Sequence, residues 1–160
     1  QGGAGGVASY AIQLAKHIGA RVITTARAEN HPYLRKLGAD HIIDYNAQDF
    51  TKVVSDCDAA FETVGGGDLV QRTFSVLKPG GRLVYSVCSL EPEEGEAQIA
   101  ALLRRNQDVR RVAIMPGEIG IAAEWLNDQG ELRTLPHFLP DPEPRLAGID
   151  GFFAARLTKV

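Results

Sequence analysis

GGAGGVASYAIQLAKHIGARVITTAR, residues 2–27, is the stretch that decides the fold. Its opening, Gly2-Gly3-Ala4-Gly5-Gly6-Val7-Ala8, runs into a segment where Ile12, Ala15 and Leu14, Ile18 recur at helical spacing, which Gly19 ends. Arg21–Thr25 (RVITT) is β-branched and predicts a strand. Gly3 to Ala8 has the form G-x-G-x-x-A. Such a loop supplies a tight turn, close backbone approach to a pyrophosphate and close helix–sheet packing. The helix behind it offers unpaired N–H groups and the positive end of its dipole to phosphates. A glycine-rich surface turn is the alternative, and the helix and strand that follow at once weigh against it. The motif ordinarily follows a strand, yet only Gln1 precedes it. The expectation is a sheet without its central first strand unless another segment fills the place.

Outward from this stretch, short β-rich runs alternate with amphipathic ones. Residues 32–37 predict a short helix, 41–45 (HIIDY) a strand, and 49–54 a helical turn or two. Residues 59–64 (AAFETV) predict a strand that ends in Gly65-Gly66-Gly67, and Asp68 an N-cap for a helix reaching Leu77. Lys78-Pro79-Gly80-Gly81 reads as a turn before a strand over 82–87 (RLVYSV). Helices are predicted over 92–106 and 122–126. The runs 131–138 and 151–160 read as an antiparallel hairpin, since the Pro-rich connection, 140–144, holds no crossover helix. Alternating strands and helices imply a parallel sheet whose ligand lies at the carboxyl ends of its strands. The expected fold is α/β, a doubly wound Rossmann-like three-layer sandwich, mostly parallel with a C-terminal antiparallel hairpin. It is read as one domain over 1–160.

The 160 residues suffice for one domain with a core. A net charge of -3 makes no electrostatic case for nucleic acid or a membrane surface. Arg104, Arg105, Arg110 and Arg111 cluster near a helix end, opposite Glu93, Glu94 and Glu96, which suits the helix dipole better than an RNA contact. Two cysteines, Cys57 and Cys88, are too few for a disulfide framework, and the four histidines show no metal-ligand spacing with them. No metal is expected. The absence of a membrane-length apolar run or a signal-peptide pattern leads to the expectation of a cytoplasmic protein. The strand end Thr25-Ala26-Arg27-Ala28-Glu29-Asn30 lacks the acid that NAD sites place on the ribose and offers Arg27, which favours NADP. A solvated loop arginine beside Glu29 is the alternative.

GGAGGVASYAIQLAKHIGARVITTAR, LRKLGADHIIDY, FETVGGG and SVLKPGGRLV together resemble the medium-chain dehydrogenase/reductase superfamily, in its quinone oxidoreductase-like, zinc-binding branch, from Gly2 to about Val84. Gly2 and Gly5 match that family's glycine loop, with Ala8 in place of its last glycine. The resemblance implies a cofactor site of Gly2, Gly3, Gly5, Gly6 and Val7, with Thr63, Val64 and Gly65 near the nicotinamide and Arg27, Asn30 and Tyr45 near the adenosine phosphate. That family also has a separate substrate domain, for which these residues are expected to hold no counterpart.

From about Leu77 to Leu157 the chain resembles the C-terminal part of Sun-type ribosomal RNA cytosine-5 methyltransferases, through LKPGGRLVYSVCSLEPEEGEAQI, PGEIG, LRTLPHFLP and GIDGFFAARL. LKPGGRLV suits both families and marks the join. In the methyltransferases a cysteine at the position of Cys88 attacks cytosine, and a second lies in a Pro-Cys motif that Cys57, after Asp56, does not match. Cys88 is read as a relic nucleophile. The expectation is a non-catalytic, recombined or designed chimera with NADP(H) affinity, S-adenosylmethionine being the less favoured cofactor and self-association left open. A methyltransferase fragment and an NADPH-dependent quinone reductase fragment stand as alternatives.

Overall fold

The computed structural model describes residues 1–66 and 68–160, so Gly67 of the expected glycine run lies outside the described residues. The opening stretch folds as read. Helix α1 spans Gly6–His17 and strand β1 Ile23–Ala26. Helix α2 (His31–Lys36) leads to strand β2 (His41–Asp44), which pairs in parallel with β1, Ile23 opposite His41. Strand β3 (Cys57–Glu62), helix α3 (Leu69–Ser75) and strand β4 (Leu77–Val87) follow. Strands β3 and β4 are also parallel, with Ala59 opposite Arg82 and Glu62 opposite Tyr85. Helix α4 (Glu96–Arg105), strand β5 (Val109–Arg111), strand β6 (Leu132–Thr134) and strand β7 (Phe152–Lys159) complete the chain. The fold is mixed α/β and Rossmann-like, parallel in its first half. The hairpin expected at the end is present: β6 pairs antiparallel with β7, and β7 runs antiparallel to β4.

The sheet is not continuous. Strands β1 and β2 form one sheet, and β3-β4-β7-β5, with β6 also on β7, form a second. At their carboxyl rim a single backbone bridges the two. The Gln1 nitrogen donates to Phe61 O (2.7 Å), Thr63 Oγ1 to Gln1 O (3.2 Å) and Gly3 N to Thr25 O (3.0 Å).

Four local expectations are corrected. Lys78–Gly81 is a bulge inside β4 instead of a turn before it: from Cys57 to Ala59 the partner strand advances two residues while β4 advances from Leu77 to Arg82. Gly80 supplies the positive φ (78°) this needs. Asp68 sits at the N-cap of α3 without a side-chain cap bond and instead meets Arg105 at 3.4 Å. The helix expected over 122–126 is a single 3-10 turn, Ala123–Trp125. Helix α4 starts at Glu96, not Pro92, and β5 was not foreseen.

The main core joins both halves. Val70, Phe74, Leu77, Leu83 and Tyr85 pack with Ile99, Leu102, Phe153, Ala155 and Leu157. Lys159 Nζ adds a bond to Leu77 O (2.9 Å) and stands over the Phe74 ring at 5.5 Å. Smaller clusters form around Ile12, Ala26, Leu34 and Ala39, and around Ile43, Phe50 and Val76. Phe153 is buried, whereas Phe152, on the other face of β7, is partly exposed.

Candidate functional site

The glycine loop is a cradle formed by close backbone approach. Gly2 has φ 68°, and a Cβ there would stand 2.6 Å from Val64 Cγ2. A Cβ on Gly3 would run into the buried Thr24 side chain. Gly5 N closes the turn on Gly2 O at 2.8 Å. At Gly6 a Cβ would meet nothing within 4 Å, so this glycine faces open space. Helix α1 starts there with no side-chain cap bond and no acid in its first turn. Its first N–H groups have no intrahelical acceptor, and the dipole favours an anion in front of them.

The loop faces a cleft of about 130 Å³ at the carboxyl ends of the strands. Gly5, Gly6, Val7 and Ala8 form one side; Thr63 at the end of β3 and Ser86, Val87 and Cys88 at the end of β4 form the other. The expected site residues Gly5, Gly6, Val7 and Thr63 are thereby brought together, with Gly2 and Val64 in contact behind them. Gly65 has φ 71°, and a Cβ there would stand 3.2 Å from both Tyr85 Oη and Val87 Cγ1.

Arg27, Tyr45 and Asn30 do not line that cleft. They lie at the carboxyl ends of β1 and β2, where Arg27 Nε donates to Tyr45 Oη at 3.0 Å. That bond, with Glu29 4.0 Å away, pushes the Arg27 pKa up. Tyr45 holds the guanidinium through Nε, Glu29 lies 4.0 Å from Nη1, and the side chain stays 62% exposed. Asn30 ends a 3-10 turn, Ala28–Asn30, and is half-buried.

The structure adds two residues to the surroundings of the glycine loop, Cys88 and Glu62. Cys88, a relic nucleophile by its resemblance to the methyltransferases, shares the cleft with the glycine loop. The rule that ligands gather at the carboxyl ends of parallel strands could have found it. Glu62 is fully buried (0% exposed) at the end of β3. The only signal was an acid inside the apolar run AAFETV. Burial, Glu62 and Glu94 push the Tyr85 phenol up to about 12. Cys57 lies away from the cleft, and burial with Asp58 and Asp56 pushes its thiol up.

Three of the four arginines of the basic cluster are engaged within the chain. Arg111 pairs with buried Glu131 at 2.9 Å, Arg105 with Asp68, and Arg110 with the carbonyls of Gln107 and Val109. Among the described residues no three His, Cys, Asp or Glu side chains are grouped to hold a metal ion, and no helix is long and apolar enough to cross a membrane.

Comparison with known proteins places both ancestries. The family model for zinc-binding dehydrogenases matches residues 6–128. The NADPH-dependent alkenal/one oxidoreductase of Arabidopsis thaliana chloroplasts is 36% identical over 56% of this chain and 23% of its own length. Ribosomal RNA small subunit methyltransferase F of Klebsiella pneumoniae is 33% identical over 58% of this chain and 18% of its own. The two matches each exceed half of the chain and so overlap in its middle. The solved structure of a methyltransferase homologue from Pyrococcus horikoshii superposes with a TM-score of 0.57 at 25% identity, over 88% of this chain and 54% of that one. The chain thus spans less than a quarter of these two curated relatives, one oxidoreductase and one methyltransferase.

Proposed function

This chain belongs to the zinc-binding dehydrogenase family, and on that premise we propose that it binds NADP(H) and does not turn it over by itself. The glycine cradle carries the reading: side chains are excluded at Gly2 and Gly3 by Val64 and Thr24, while the open side at Gly6 leads to uncapped N–H groups of a twelve-residue helix. That is the geometry a pyrophosphate needs. Arg27, steadied by Tyr45, suits a 2′-phosphate. Bound NADPH would supply a hydride, and the chain's own residues would hold its phosphates and wall the cleft. Zinc does not fit the described residues, since they group no ligand set.

For turnover a substrate must be held against the nicotinamide. The cleft offers Thr63, Ser86 and Cys88 as its polar side chains, facing the glycine loop that would hold the cofactor, and these few groups are what the described lining brings to a substrate. The oxidoreductase-like and methyltransferase-like segments joined around β4 are read as a recombination between related sheets. One domain folds because β4 takes the same place in both. Titration with NADPH and NADH, followed by fluorescence and calorimetry, tests the reading. Saturable NADPH binding, tighter than NADH, is expected; no binding up to millimolar concentration removes it. Steady NADPH oxidation with a quinone by the chain alone would make it a reductase.

Cys88 in the cleft favours a second reading, an S-adenosylmethionine-dependent methyltransferase segment. Transfer of labelled methyl groups to ribosomal RNA would support it.

A further inference from the structure

We propose that Glu62 is the positioning residue for the nicotinamide-side wall of the cleft, an inference that rests on the NADP(H) reading above. The Glu62 carboxylate does not line the cleft. It is fully buried and satisfied by three donors from the chain. Oε1 accepts from Val64 N at 2.8 Å and Gly65 N at 3.1 Å. Oε2 accepts from Thr73 Oγ1, itself buried in α3, at 2.9 Å.

A buried carboxylate is costly unless its oxygens are paired, so this one is committed to a single arrangement of its donors. The arrangement ties three elements: the end of β3, the loop after it, and α3. The loop it holds is the one that packs on the glycine turn, since Val64 Cγ2 stands 2.6 Å from where Gly2 would carry a Cβ. Thr63, in the same loop, lines the cleft. Glu62 therefore acts on a bound dinucleotide through Thr63–Gly65, the loop that lines the cleft beside the glycine turn. The adenosine end, at Arg27 and Tyr45, lies on the other sheet.

Two ligands separate the ends. NADPH fills both; 2′,5′-ADP carries the adenosine and its 2′-phosphate without the nicotinamide. Glu62→Leu keeps the bulk and leaves the N–H groups of Val64 and Gly65 without their acceptor. It is expected to weaken NADPH about tenfold and leave 2′,5′-ADP binding unchanged. Glu62→Gln can still accept both N–H groups on its amide oxygen and donate to Thr73 Oγ1, so it is expected to restore NADPH affinity to within about threefold of the wild type. Should Glu62→Leu fail to fold, Glu62→Asp, whose carboxylate falls one methylene short, is expected to show the same split. Parallel loss of both ligands, or no change in either, in a folded Leu or Asp variant overturns the assignment. A wild-type chain that binds neither ligand overturns the NADP(H) reading itself, and the inference with it.

Discussion

At the residue scale the glycines differ in purpose although the motif spells them alike. Gly3 is pressed against Thr24, while Gly6 faces open space. Gly3→Ala should therefore cost about 1–3 kcal/mol of stability, as forced overpacking does, and should lose NADPH binding. Gly6→Ala should keep or raise the melting temperature, because alanine is favoured over glycine in a helix by about 1 kcal/mol. It should still weaken NADPH by filling the approach to the phosphates. Thermal melts beside NADPH titrations check both; a Gly3→Ala variant as stable as wild type would contradict the close approach. The cysteines also differ. Cys88 is exposed in the cleft, and Cys57 is half-buried with its thiol pushed up by burial and two aspartates. A maleimide should label Cys88 first, and saturating NADPH should slow that labelling while leaving Cys57 unaffected. Equal protection of both would place the ligand elsewhere.

At the element scale, short elements are held by side chains from other elements. The 3-10 turn Phe50–Lys52 is capped by Asp49, which accepts from Thr51 N at 3.0 Å and reaches Arg72 of α3 at 2.7 Å. Arg72 first, then Thr51, holds the Asp49 carboxyl down to about 2 from its ordinary 3.8. A carboxyl depressed by folding stabilises the native state above its unfolded pKa and stops doing so as pH falls through the folded one. Asp49→Asn should therefore melt below wild type near neutral pH, and the gap should close between about pH 4 and pH 2. A gap that persisted at pH 2 would assign its cause to packing. Helix α1 buries Ala8, Ser9 and Ile12, yet Leu14 and Ile18, which marked its period, are 67% and 81% exposed. Periodicity thus located the helix correctly but could not say which of its apolar residues found a partner. That depends on what lies across from it.

At the scale of the whole molecule the two sheets rest on different main cores, with the cluster of Ile43, Phe50 and Val76 between them. The larger, around Leu83, Tyr85, Phe153 and Leu157, draws on both ancestries; the smaller, around Ile12, Ala26 and Leu34, belongs to the opening stretch. Regions with fewer buried apolar contacts open at lower free energy. Amides of Ile23–Ala26 and His41–Asp44 should lose hydrogen-exchange protection before those of Leu83–Val87 and Phe153–Leu157. Simultaneous loss would mean that the bridge at Gln1–Gly3 couples the sheets fully. Sequence by itself determined what depends on near neighbours. The glycine loop with its helix and strand, the parallel β–α rhythm, the antiparallel pairing of β6 with β7, and the join near β4 were all legible, because turn chemistry and side-chain period are written within a few residues. Tertiary structure alone decided how Gln1–Gly3 bridges the two sheets, the burial of Glu62 under Thr73, and the meeting of Cys88 with Gly5 and Gly6. Each of these is a contact between residues distant along the chain, set by which surfaces come to face each other, and no local period records that.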